Sequence, residues 1–210
     1  MTPRYRIFLL SPAYVGGERA RLLLRPDANF DLAVRLRRDG VPLGETFAFV
    51  SGLYFRGKLA YAHAFAAPPE DVPGSFVITS GQGLVPPDTL ITAGHLRQLA
   101  SVTVDAADPQ YRLPLERACR ILDEIVGPDC DYVLLGSIAT TKYLDPIFGV
   151  FGDRLLFPEE FIGRGDMSRG GLLLRCARAG VQLKYAPLGN ITRHGRRPPK
   201  LPRTERSQRR

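Results

Sequence analysis

The sequence predicts an α/β fold: a single three-layer, Rossmann-like domain with a mainly parallel central sheet. Two observations carry this expectation. Short apolar, β-capable runs alternate with runs at helical spacing, the pattern of strands joined by crossover helices. Glycine-containing turns also follow the apolar runs, at Ser11–Gly17, Ser80–Gly83, Gly136–Thr140, Gly152–Asp153 and Gly163–Gly171. Three of these five lie between a strand-like and a helix-like run, where an α/β sheet presents backbone N–H groups and helix N-termini to ligands.

The elements read as follows. Tyr5–Leu10 is a buried strand ending in Ser11-Pro12, and Gly16–Leu24 and Phe30–Arg38 are helices separated by Pro26, Asp27 and Asn29. Thr46–Ser51 is short and aromatic and fits either a strand or a helix entry. Gly52–Ala67 is an amphipathic helix closed by Pro68-Pro69. Ser75–Ser80 is the clearest strand, followed by a turn-rich loop through Asp88, and Leu99–Val104 reads as a further short strand or edge segment. Leu113–Val126 is a helix with Leu115, Ala118, Ile121, Leu122 and Ile125 on one face, closed by Gly127-Pro128. Asp131–Leu135 and Arg154–Phe157 are strands around a helix over Thr141–Phe151; Ser168–Ala179 is a helix capped by Gly180, and Val181–Tyr185 is the last strand.

At 210 residues the chain is long enough to bury a core as one domain. No run approaches the roughly 18 apolar residues that span a bilayer, and the apolar N-terminal stretch is too short for a signal-peptide core. No membrane partner is expected, and the default location is cytoplasmic. Cys119, Cys130 and Cys176 are odd in number, scattered and without a C-x-x-C, so neither a disulfide frame nor a zinc site is expected. His63, His95 and His194 are too far apart to suggest a metal, and without G-x-G-x-x-G or a P-loop no cofactor is expected.

The charge is uneven. Of the net +8, the segment from Arg193 to Arg210 carries +7, with Pro198, Pro199 and Pro202 and almost no apolar residue. Residues 1–192 are read as the folded domain and 193–210 as a basic, disordered tail. The tail is either an electrostatic contact for nucleic acid or a solubilising terminus.

Five constellations are weighed for chemistry, one of them the Ser11–Arg19 turn after the first strand, which lacks G-x-G-x-x-G and so argues against a dinucleotide cofactor. After Ser75–Ser80, Ser80 offers a hydroxyl, Gly83 a close backbone approach and Gln82 a donor and an acceptor for a base or amide edge. Asp88 is a general base or ligand clamp, or else a helix N-cap. In the Gly163–Gly171 stretch Arg164 and Arg169 could pair with a phosphate or carboxylate, and Asp166 or Ser168 could cap the next helix. The Gly170-Gly171 pair costs helix stability and signals close approach of another element or a ligand. Ser137 lies at a third strand end. Tyr54, with Arg56 and Lys58 near one helix start, could stack on a base or belong to the core.

The strings Ser51-Gly52-Leu53-Tyr54 with Ala60-Tyr61-Ala62, then Ile78 to Asp88, then Gly163–Gly171 resemble those of a family of small bacterial and phage α/β proteins. Its members carry a "serine-x-x-glycine-leucine-valine-x-proline" loop. That loop is also similar to one in the C-terminal domain of archaeosine synthases, which looks like a uracil-DNA-glycosylase-type α/β fold. The resemblance implies a site that handles a nucleobase or nucleoside, with N-glycosidic cleavage or base exchange as the chemistry. The Gly-Gln-Asp-Pro-Tyr and His-Pro-Ser loops of uracil-DNA glycosylases are absent from this sequence. On this reading Asp88 and Asp166 are the candidate catalytic residues. Tyr54, Ser80, Gln82, Gly83, Ser137, Arg164, Ser168 and Arg169 bind a nucleobase-containing small molecule or nucleic acid. The alternative is a noncatalytic nucleic-acid-associated module that binds through its tail.

Overall fold

A computed structural model describes residues 4–138, 144–191, 195, 198, 199 and 201. In chain order the elements are β1 (Tyr5–Leu10), α1 (Glu18–Leu24), α2 (Asp31–Arg38), β2 (Val41–Pro42), α3 (Leu43–Ser51) and α4 (Leu53–Phe65). There follow β3 (Ser75–Thr79), β4 (Gly83–Val85), β5 (Leu90–Ile91), α5 (Ala93–Ser101), α6 (Pro109–Val126) and β6 (Cys130–Leu135). The chain continues through α7 (Leu144–Phe151), β7 (Leu155–Pro158), α8 (Asp166–Ala179) and β8 (Tyr185–Pro187).

The main sheet has six strands in the order β4-β3-β1-β6-β7-β8. The four inner strands run parallel, and β4 and β8 close the two edges antiparallel. The α/β class and the mainly parallel sheet follow the expectation. Parallel strands covered on both faces read as continuous apolar runs, and Ile7–Leu10 and Tyr132–Leu135 are fully buried. β1 runs in register with β6 from Tyr5 opposite Cys130 to Leu10 opposite Leu135. Helices α4 and α8 pack on each other on one face, while α6 and α7 pack together on the other.

Chain direction sets where a ligand can enter. From β1 the chain moves outward to β3, then crosses back to place β6 on the other side of β1. The loops leaving β1 and β6 therefore diverge to opposite faces, which opens a crevice at their carboxyl ends.

Several boundaries differ from the sequence reading. Thr46–Ser51 lies within helix α3. Leu99 belongs to helix α5, not to a strand: Ala93, Leu96 and Leu99 form its buried stripe, and Thr92 and His95 close a reciprocal cap at its start. The loop after β3 turns back as a hairpin, with Val77 opposite Val85, so it is no strand-to-helix crossover. The final strand is Tyr185–Pro187, three residues that pair antiparallel with β7, and not Val181–Tyr185. The expected helix start over Thr141–Tyr143 and most of the basic tail lie outside the described residues.

Two glycine positions fix the α4–α8 face. Gly52 joins α3 to α4 at φ 64°, a left-handed conformation that strains any L side chain. Gly57 and Gly170 meet where α4 crosses α8: a Cβ on Gly57 would lie 2.7 Å from the Gly170 carbonyl oxygen, and one on Gly170 2.7 Å from the Tyr54 Cα. The helix-weakening Gly170 is thus explained by a neighbouring element.

Gly170→Ala is expected to lower stability by about 1–3 kcal/mol, because both contacts are backbone and the helices must part. Gly149→Ala is the control: it lies in α7 with nothing within 4 Å of its Cβ, and should stabilise by about 0.5–1 kcal/mol. Urea unfolding midpoints of the two variants would check both.

Candidate active site

The crevice encloses about 580 Å³, within the range of small-molecule sites. Its lining comes from the carboxyl ends of three parallel strands: Ser11 through Gly16 after β1, Ser80 after β3 and Ser137 after β6. Ser51, Tyr54 and Lys58 enter from the α3–α4 side, Leu99, Ala100 and Val102 to Val104 from the end of α5 and the segment after it, and Asp166 from the first residue of α8. Hydroxyls, one carboxylate and one ammonium therefore converge in a cleft with apolar walls.

Lys58 is the most unusual group in it. It is 1% exposed on a helix face otherwise formed by Tyr54, Phe55, Gly57, Tyr61 and Ala62. Its Nζ lies 2.9 Å from the Ser11 carbonyl oxygen and 2.7 Å from Ser11 Oγ, and 4.2 Å from the centre of the Tyr54 ring. Among the described residues no carboxylate is ion-paired with it. Burial disfavours the ammonium form; the nearby Asp166 carboxylate opposes that effect and the Arg169 guanidinium reinforces it, leaving the pKa lowered to about 7.

Arg169 is itself buried beneath the crevice. Its Nε and Nη2 donate to the Phe161 carbonyl at 3.3 and 3.2 Å, and its Nη1 donates to the Gly136 carbonyl at 3.4 Å. It also reaches Asp166 at 3.6 Å. The guanidinium ties the end of β6 to the segment before α8.

Four of the residues singled out in the sequence thus meet in the crevice: Tyr54, Ser80, Ser137 and Asp166. Within it Tyr54 is 5% exposed, its ring facing Lys58 and set edge-on to Phe161. Ser80 Oγ donates to the Leu99 carbonyl, so it secures the rim. Gln82 is exposed on the β3–β4 turn, outside the lining. Gly83 faces α6, where a Cβ would meet the Pro114 carbonyl oxygen at 2.5 Å. Asp88 lies in a separate groove of about 600 Å³ with Glu45 and His63. It caps no helix, since Thr92 caps α5. Arg164 and Ser168 border a third hollow beside Pro198, Pro199 and Leu201, where Arg164 donates to the Glu160 and Pro199 carbonyls and to Ser168 Oγ.

Ser11 and Lys58 lie in two of the stretches singled out in the sequence, but neither is given a role there. The available signal was positional. Tyr54, Lys58 and Tyr61 fall at i, i+4 and i+7, which puts a lysine on the apolar stripe of α4. No family model, no curated protein and no solved structure matches the chain.

The lowered basicity of Lys58 makes stability depend on pH. Between pH 7 and the ordinary lysine value the unfolded chain holds a proton that the folded chain lacks, so stability rises with pH across that window, by up to about 1.4 kcal/mol per pH unit. Below pH 7 both states are protonated and the full penalty of the buried ammonium stays. Lys58→Met should stabilise the protein most at pH 6, with the gain shrinking toward pH 10; urea titrations across that range would show it.

Proposed function

We propose that the chain handles a nucleobase- or nucleoside-containing ligand in this crevice, with cleavage or exchange at the N-glycosidic bond as the class of reaction. The observation that carries the reading is the convergence of Ser51, Thr103 and Ser137, the Asp166 carboxylate and the Tyr54 ring at the point where the strand order reverses. Such a cleft offers apolar walls for a flat base and polar atoms for its edge and its sugar. The likeness of the Ile78–Asp88 loop to that of archaeosine synthases supports the choice of a nucleobase.

In this reading Asp166 is the carboxylate that orients water or a sugar hydroxyl, and Ser51, Thr103 and Ser137 take the base-reading role first sought in Gln82. The side chain of Asp166 is 67% exposed, so a ligand can reach it. Asp88 and Gln82 are outside this assignment.

A thermal-shift titration of the full chain against nucleobases, nucleosides and nucleotides tests the reading. A melting temperature that climbs with ligand concentration is expected. Asp166→Asn should keep that shift while lowering glycosidic turnover by about 100-fold or more. The absence of a shift with every small ligand, together with oligonucleotide binding that falls steeply with salt, would favour the basic segment as the contact.

A further inference from the structure

The floor of the crevice holds a contact that nucleobase binding does not use. Ser11 ends β1 and Lys58 projects from α4, 47 positions later, yet Ser11 Oγ and Lys58 Nζ are 2.7 Å apart inside the same cleft. We propose that Ser11 and Lys58 form a nucleophile–base dyad that transfers an acyl group from a carboxylic ester to water. This goes beyond the nucleobase reading and does not rest on it.

The geometry accounts for every valence of a neutral amine. One N–H donates to the Ser11 carbonyl oxygen at 2.9 Å, and another meets the face of the Tyr54 ring, 4.2 Å from its centre. The lone pair is left for the proton on Ser11 Oγ. A serine hydroxyl is a weak nucleophile until an adjacent base takes its proton, and a lysine can serve only while uncharged. Burial and the Arg169 guanidinium favour the uncharged form near neutral pH. Ser80, which follows the neighbouring strand β3, already donates its hydroxyl to the Leu99 carbonyl.

The step balances without any added reagent. As Ser11 Oγ bonds to the ester carbonyl carbon, its proton passes to Lys58 Nζ and the carbonyl π pair moves onto oxygen. When that pair returns, the carbon–oxygen bond to the alcohol breaks and the alcohol leaves with the proton from Lys58. Water then adds to the acyl-serine with Lys58 again taking and returning a proton. Serine is restored and a carboxylic acid is released.

A fluorophosphonate probe applied to the full chain tests the dyad, with intact mass and peptide mapping as readouts. The probe carries no base, so its result stands apart from the nucleoside titration. One adduct on Ser11 is expected, with a rate that climbs through about pH 7 and then levels off. Ser11→Ala should abolish the adduct, and Lys58→Met should slow it by about 100-fold or more. An adduct elsewhere, none at all, or Lys58→Met labelling at the wild-type rate would overturn the proposal. A wild-type rate proportional to hydroxide from pH 5 to 9 would do so as well, and that profile decides the matter if Lys58→Met does not fold.

Discussion

The crossing of α4 and α8 at Gly57 and Gly170 is the constraint from which the site follows. With a hydrogen at each Cα, the two helices touch through backbone. That closeness puts the start of α8 beside the buried face of α4, so Asp166 and Arg169 act electrostatically on Lys58. Bulkier residues would hold the helices apart and dissolve this grouping before any site residue changed. Gly52 has a related part, because its left-handed turn lets α4 start toward the end of β1.

The charges at the base of the crevice are arranged at a cost to stability. A buried ammonium without an ion-paired carboxylate is expensive, and here it depends on a carbonyl, a hydroxyl and an aromatic face. Arg169 is better supplied, with two backbone carbonyls and a nearby carboxylate. Proteins retain groups of this kind more readily for what they do than for what they stabilise. The same guanidinium that fastens β6 to the approach of α8 also discourages protonation of Lys58, so one side chain links the architecture to the chemistry.

The places where a ligand could sit were legible in the sequence; the groups waiting there were only partly so. The central strands announced themselves through unbroken apolar runs such as Ile7–Leu10, and their carboxyl ends mark the crevice. Of the Gly170-Gly171 pair, Gly170 marks a close approach and Gly171 does not, and two adjacent glycines say nothing of what approaches. The loop after β3 misled because Gly83–Val85 is three residues long, too short for an alternating pattern, and only its pairing with Val77–Thr79 makes it a strand. Leu99 misled because its helical partners lie before it, behind a threonine–histidine cap that lacks the usual glutamate. Lys58 stood beside Tyr54 in the sequence without a role, because a lysine is ordinarily a surface residue and its burial depends on β1 and α8 arriving from distant parts of the chain.

The sheet ends in a way that bears on life in a crowded solution. Each outermost strand is three residues long and runs against its neighbour. Pro86 follows β4 directly, and Pro187 sits within β8, where it has no N–H to offer. A second chain seeking to extend the ladder would find few donors and almost no straight length to align with. The parallel strands, whose apolar sequences would be the most adhesive part of the molecule if laid bare, are enclosed between two poor templates. The fold thereby guards against strand-to-strand aggregation at both margins.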